Sequence, residues 1–319
     1  MKLMQLGVIL DEVFLLHRPP AGHPESPERV RVLLDLPVLS DPRILRVAPV
    51  EAGDRLLLAV HTAEHVERIR ETAKRSLTML DPDTFAGPET WRVARIAAGS
   101  AVRLLDLMGA GRIGPAFLAA RPPGHHAESN RAMGFCFFNQ AAVAAQHALD
   151  QGLAERVAIF DFDVHHGNGT QEIFWERNDV LYISVHQYPF YPGTGSASET
   201  GSGPGKGFTL NLPLSAGAND AVYLSLLEER VIPALEGFRP DLLVVSAGYD
   251  AHGRDPLGGM NLSTEAYRRM VLRLQETAGE LCCGRVLYVL EGGYDLQALR
   301  DCVQGTLEAC LEVLPKDQG

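Results

Sequence analysis

The sequence predicts an α/β protein built on one parallel sheet with helices on both faces. Three observations carry that expectation. Short apolar runs such as Val157-Ala-Ile-Phe and Leu242-Leu-Val-Val lack the polar alternation of a half-solvated strand, as strands buried on both faces do. Each run is followed by a loop and then by residues with helical spacing, the repeating pattern of a parallel sheet. The residues able to do chemistry stand directly after those runs, where open α/β sheets gather their sites.

Taken in order, residues 6–10 form a first strand. Ser26 then caps a helix that has Pro27 in its first turn. Thr62 caps a second helix carrying Glu64, Val66 and Ile69, and residues 88–108 form a longer one. His61 and His65, at the start of the second helix, read as surface or capping residues. Further strands are expected at 115–119, 157–162, 180–185, 209–212, 242–246 and 286–290, with helices from about Asn139, Thr170, Asn219, Thr264 and Asp295. The Gly/Ser-rich run 193–207 reads as a surface loop. Its Lys206 does not make a phosphate loop, because Thr200 stands where GxxxxGK[ST] needs its first glycine and Gly207 where it needs a hydroxyl.

With 319 residues, 46% of them hydrophobic and 22% charged, the chain can close one large core, so residues 1–319 are expected to form a single domain. A net charge of -11 without any basic block argues against nucleic-acid binding and favours a cationic substrate. The apolar run before Asp11 and Glu12 is too short for a signal peptide, and no stretch is long enough to span a bilayer. Five cysteines show neither even pairing nor CxxC spacing, which fits a reducing cytoplasm, and Cys282-Cys283 read as core residues.

The chemistry centres on Val157-Ala-Ile-Phe-Asp161-Phe-Asp163-Val-His165-His166-Gly-Asn168. Side chains alternate along a strand, so Asp161, Asp163 and His165 share one side. Burying three ionisable groups without compensation costs several kcal/mol. A divalent cation such as zinc is the simplest partner, and backbone amides with a lysine are the plainer alternative. Arg121-Pro-Pro-Gly-His125-His126, Ser246-Ala-Gly-Tyr-Asp250 and Glu291-Gly-Gly-Tyr294 end other strands of the same pattern.

Together with Met133-Gly-Phe-Cys-Phe-Phe-Asn139, Tyr191-Pro-Gly-Thr-Gly195 and Asp250-Ala-His-Gly-Arg-Asp-Pro-Leu257, these motifs resemble the histone deacetylase family, nearest its class II branch and the bacterial amidohydrolase relatives. The resemblance runs in order from about His23 to Tyr294. It implies the arginase-deacetylase fold, an eight-stranded parallel sheet between helices, and a single catalytic zinc, or ferrous iron, on Asp163, His165 and Asp250. It also implies that His126 is the general base, that His125 is its electrostatic partner oriented by Asp161, and that Tyr294 donates to the oxyanion. Asn168 stands where many class I members carry an aspartate beside the base. Gly134, Phe135, Tyr191 and Leu257 would shape a narrow substrate channel. Asp83 would hold the substrate backbone at the rim, with Asp81 an equally short alignment shift away, and Arg29 would belong to an acetate-release pocket. A structural potassium ion would sit on Asp161, Ser184 and backbone oxygens of Asp163, His165 and Val185.

The expected activity is therefore zinc-dependent hydrolysis of acetyl-lysine, in a peptide or protein, or of a related small acylated amine. Acetylpolyamine deacetylation is the alternative, although Leu257 replaces the gatekeeper glutamate of the polyamine-selective branch. A binuclear ureohydrolase would need Asp-x-His-x-Asp, and Gly167 occupies its last position. A non-catalytic acyl-lysine binding protein is disfavoured by the intact His126 and Tyr294. Substrate identity, acyl length, the metal used in the cell and homo-oligomerisation stay open at this level.

Overall fold

The computed structural model describes residues 4–314, so the ends of the expected 1–319 domain lie outside the described residues. The main sheet uses β1 (Leu6–Ile9), β2 (Ile44–Arg46), β5 (Ala116–Leu118), β6 (Val157–Asp161), β7 (Val180–Gln187), β8 (Thr209–Leu214), β9 (Leu242–Ala247) and β10 (Val286–Leu290). A separate antiparallel hairpin pairs β3 (Thr78–Asp81) with β4 (Thr84–Ala86). The eight strands run in the order β2-β1-β5-β10-β9-β6-β7-β8, and every pairing is parallel. This is the arginase-deacetylase architecture. Because the strands are parallel, all their carboxyl ends open on one side, and the five central strands β5, β10, β9, β6 and β7 are neighbours there.

The helices are α1 (Glu28–Arg31), α2 (Asp54–Leu57), α3 (Ala63–Thr72), α4 (Thr90–Gly109), α5 (Gln140–Asp150), α6 (Asn168–Ile173), α7 (Asp220–Leu226), α8 (Ile232–Phe238), α9 (Thr264–Cys282) and α10 (Leu296–Val313). Helices α4 and α5 pack on each other over the sheet, and α9 and α10 form another such pair. Caps set several starts: Thr62, Asn139, Asn219, Ser263 and Asp295 each accept a backbone N–H from the first turn.

Several expectations need correction. Seven strands were located in the sequence although the resemblance implies eight; the eighth is β2, only three residues long and burying only Ile44, and the β3–β4 hairpin was not expected. Ser26 does not cap α1, which starts after Pro27 without a side-chain cap and spans four residues. His61 and His65 are buried rather than exposed, because carbonyls brought from far along the chain receive them: His61 Nδ1 meets Glu128 O at 3.0 Å and His65 Nε2 meets Phe137 O at 2.7 Å. Cys282 is core, but Cys283 is exposed in a left-handed turn that ends α9. Within 193–207, Gly195 and Gly205 are buried, and a Cβ at Gly205 would meet the Trp175 carbonyl, so this loop is partly packed down.

Candidate active site

Strand β6 ends at Asp161, so Asp163 and His165 lie in the turn beyond it rather than on the strand itself. That turn folds back on its own carboxylates: Asp161 Oδ1 accepts from Asp163 N at 3.1 Å, and Asp163 Oδ1 accepts from His165 N at 2.9 Å. Asp250 arrives from the end of β9, which pairs with β6, and its Oδ1 accepts from Val164 N at 2.8 Å. Asp163 Oδ2 accepts from Gly292 N, beyond β10, at 2.8 Å. Glycine is required at these approaches: a Cβ at Gly248 would collide with Asp163, and one at Gly292 with both carboxylates.

Asp163, His165 and Asp250 are buried, and one ligand atom from each lies within 4.8 Å of the others. His165 Nδ1 is 3.1 Å from Asp163 Oδ1 and 3.2 Å from Asp250 Oδ2. A tetrahedral ion with bonds of ~2.1 Å spaces its ligand atoms by roughly 3.4 Å. Asp250 Oδ2 is buried without an aligned hydrogen-bond donor, the mark of an acceptor awaiting a cation. Burial and then the neighbouring Asp163 push the Asp250 carboxyl up to about 7. Burial acts against the charge on His165, yet the two carboxylates raise it to about 10, so the trio strongly favours positive charge at its centre. The donor set therefore fits a zinc-like ion.

His125 and His126 follow β5 and lie side by side, their ring centroids 4.0 Å apart. His125 Nδ1 is 3.0 Å from Asp161 Oδ2, and Tyr182 OH donates to the same oxygen at 3.2 Å. His126 Nδ1 is 2.8 Å from Asn168 Oδ1, while its Nε2 has no hydrogen-bond partner among the described residues. Burial, reinforced by His125 and His165, pushes His126 well below the ordinary histidine value. Glu291, whose position was part of a recognised motif but had no assigned role, holds the turn: its Oε2 accepts from Gly124 N at 2.7 Å and His125 N at 3.1 Å.

A channel of roughly 220 Å³ opens above this floor, lined by Asp83, His126, Gly134, Phe135, His165, Phe190, Tyr191, Leu257 and Tyr294. Phe135 reaches it by adopting a left-handed φ of 68° directly after Gly134 at 55°. Such strain at a bulky residue costs ~1–3 kcal/mol and persists only where the surroundings hold it. Here Thr84 Oγ1 accepts from Phe135 N at 3.0 Å, and the His23 ring packs edge-on at 4.7 Å. Asp83 faces the channel, whereas Asp81 pairs with Arg131 at 2.9 Å. Phe190 was not anticipated; it stacks on His165 with centroids 5.4 Å apart. No local pattern marks it, since Phe190 stands in a turn without periodicity.

Tyr294 follows Gly293, whose φ of 119° suits glycine. Its phenol is raised well above the ordinary value, chiefly by burial and against the opposing Arg29 charge, so it is a proton donor over the working pH range. Arg29 lies 4.9 Å from the centre of that ring, fully buried, donating to Gly293 O at 2.7 Å and also to Glu291 O. Asp161 and Ser184 are register partners on β6 and β7, and Val185 follows on the same strand. Of the sequence-selected residues, the histidine pair, the trio, Tyr294 and the channel walls thus share one site, while Arg29 and the Asp161–Ser184 pair lie beneath it.

A family model described as the histone deacetylase domain matches residues 23–310. The chain belongs to the histone deacetylase family. It is 42% identical over 297 residues to a histone deacetylase-like amidohydrolase of Pseudomonas aeruginosa, covering 91% of this chain and 78% of that protein. A probable deacetylase of Methanothermobacter thermautotrophicus is 45% identical over 280 residues, covering 87% and 82%. Histone deacetylase 15 of Arabidopsis thaliana is 40% identical over 98% of this chain but only 58% of its own length. The crystal structure of the HDA15 HD domain superposes with a TM-score of 0.90 at 40% identity, covering 96% of this chain and 90% of that one. No described helix of this family member is long and apolar enough to cross a membrane.

Proposed function

We propose that the protein is a zinc-dependent deacetylase that hydrolyses the amide of acetyl-lysine or a related acylated amine to acetate and free amine. One observation carries the reading: His165, at metal-ligand spacing from the buried carboxylates Asp163 and Asp250, lines a narrow channel together with His126 and Tyr294. Asp163, His165 and Asp250 would hold zinc, or ferrous iron, which when bound supplies Lewis acidity to the scissile carbonyl and the attacking water. His126, tied through Nδ1 and open at Nε2, takes the proton of that water and returns it to the leaving amine. His125, anchored by Asp161, is the electrostatic partner.

Tyr294 donates its hydroxyl to the carbonyl oxygen as negative charge builds there. Phe135, Phe190 and Tyr191 exclude water around the substrate stem, Leu257 sits at the mouth, and Asp83 accepts from the substrate at the rim. Arg29 receives the acetate beneath Tyr294. Potassium on Asp161, Ser184 and the backbone oxygens of Asp163, His165 and Val185 would brace the floor; the oxygen-only donor set suits a hard ion. Acetylpolyamine deacetylation is the second reading, favoured by the net charge of -11 and by Asp83 at the rim.

The test is turnover of a fluorogenic acetyl-lysine peptide, acetylputrescine and acetylspermidine, each with and without chelator. Turnover abolished by chelator and restored by zinc supports the enzyme, and the preferred substrate ranks the two readings. Binding of all three without turnover in zinc-loaded protein refutes it.

A further inference from the structure

Asn168 Nδ2 donates to Glu128 Oε1 at 2.8 Å, on the side of the amide away from His126. From this arrangement, and resting on the assignment of His126 as general base, we propose that Glu128 is a positioning residue that fixes the Asn168 amide and thereby the tautomer of His126. A carboxylate only accepts hydrogen bonds, so Glu128 requires the amide nitrogen on its own side. The amide oxygen must then face His126 Nδ1. An oxygen there requires the imidazole hydrogen on Nδ1, which leaves the Nε2 lone pair free in the channel. Without Glu128 the amide is free to turn over and offer an N–H to Nδ1, and the opposite tautomer cannot accept a proton at Nε2.

The segment carrying Glu128 is pinned on all sides. Its carbonyl accepts from the buried His61 at 3.0 Å, and its N–H donates to Arg131 O at 3.0 Å. The next residue, Ser129, donates through N and Oγ to Glu172 at 2.9 and 2.8 Å, and its carbonyl accepts from Thr62 N. His61 Nε2 in turn accepts from Asn139 N at 3.0 Å, tying the segment to the start of α5. The only other neighbour of Asn168 Nδ2 among its described partners is Met133 Sδ at 3.4 Å, too weak an acceptor to choose the amide orientation. Glu128 and Asn168 also line a separate surface cleft of roughly 630 Å³, so the carboxylate is reached by solvent without passing through the substrate channel.

The experiment reads the ring 15N resonances of His126 in histidine-labelled protein, metal-free and zinc-loaded, alongside kcat and KM. Wild type should show hydrogen on Nδ1; Glu128→Ala should shift the ring toward hydrogen on Nε2 and lower kcat by about 10- to 100-fold with KM little changed. Glu128→Gln, which keeps an acceptor, should recover most of the rate. In an Asn168→Asp background there is no amide N–H to fix, so removing Glu128 should cost nothing further. Glu128→Lys, with donors only on a solvent-reached side chain, gives the same tautomer readout should the alanine variant fail to fold. An unchanged His126 tautomer in these variants, or equal losses in both backgrounds, overturns the proposal. The tautomer readout stands without turnover, so absence of deacetylation would sink the functional reading alone.

Discussion

Replacing Tyr294 with phenylalanine isolates a single atom of the site. The ring of Tyr294 is held edge-on by Phe135, with centroids 5.8 Å apart, and Arg29 lies 4.9 Å from its centre. Its backbone is pinned by Asp255 Oδ2, which accepts from Tyr294 N at 2.6 Å. Phenylalanine keeps all of these contacts, so the loss is the hydroxyl alone. Removing one donor from a developing oxyanion costs ~2.7–4 kcal/mol, which at ~1.36 kcal/mol per decade is about 10²–10³ in rate. The loss should fall on kcat, with KM and zinc content near wild type and the thermal midpoint little moved. Steady-state kinetics on an acetyl-lysine peptide, metal analysis and thermal unfolding measure each quantity. A kcat within about threefold of wild type, in protein that still binds zinc, would refute the oxyanion role.

Gly292→Ala drives a Cβ into Asp163 and Asp250, so it should abolish zinc binding in equilibrium dialysis while leaving a folded far-UV spectrum. Glu25 is buried between Arg121 and Arg29, so Glu25→Ala should destabilise the protein by ~3–5 kcal/mol at pH 7, read by urea unfolding. Burial opposes the Glu25 charge, but Arg121 and His17 hold its carboxyl far below the usual range, so this contribution is complete above the unfolded value of ~4.3 and fades as pH falls below it. His61 and His166 are lowered to about 3, and His65 and His186 to about 4, chiefly by burial. The unfolded chain therefore takes up protons first as pH drops below ~6.5, and stability should fall by up to ~1.4 kcal/mol per pH unit for each histidine down to those values. An NMR titration that finds any of these four histidines charged at pH 5.5 in the folded protein would contradict their buried, neutral state.

Six of the eight sheet strands were legible because strands covered on both faces read as apolar runs, as Val157–Asp161 and Val286–Leu290 do, and β8, at one edge, was found from the short run 209–212 although Asn211 interrupts it. Strand β2 carries no such signal, since it lies at the sheet edge and its burial falls away from Ile44 to Arg46. Helix periodicity located α3 but said nothing about what would cover His61 and His65, whose carbonyl partners are 67 and 72 residues away. The trio, the histidine pair and Tyr294 could be singled out because each follows a strand, and in a parallel sheet every strand ends on the same side.

The order of apolar runs and the residue types that end them were determined by the sequence itself, since burial and backbone geometry act locally on both. Which strand ends become neighbours was decided only by the tertiary structure, through the arrangement β5-β10-β9-β6-β7. That arrangement sets Asp250 beside His165, lays Phe190 on the imidazole and turns Glu128 toward Asn168. Contacts between residues far apart in the chain depend on how whole elements pack, and no short stretch of residues carries that information.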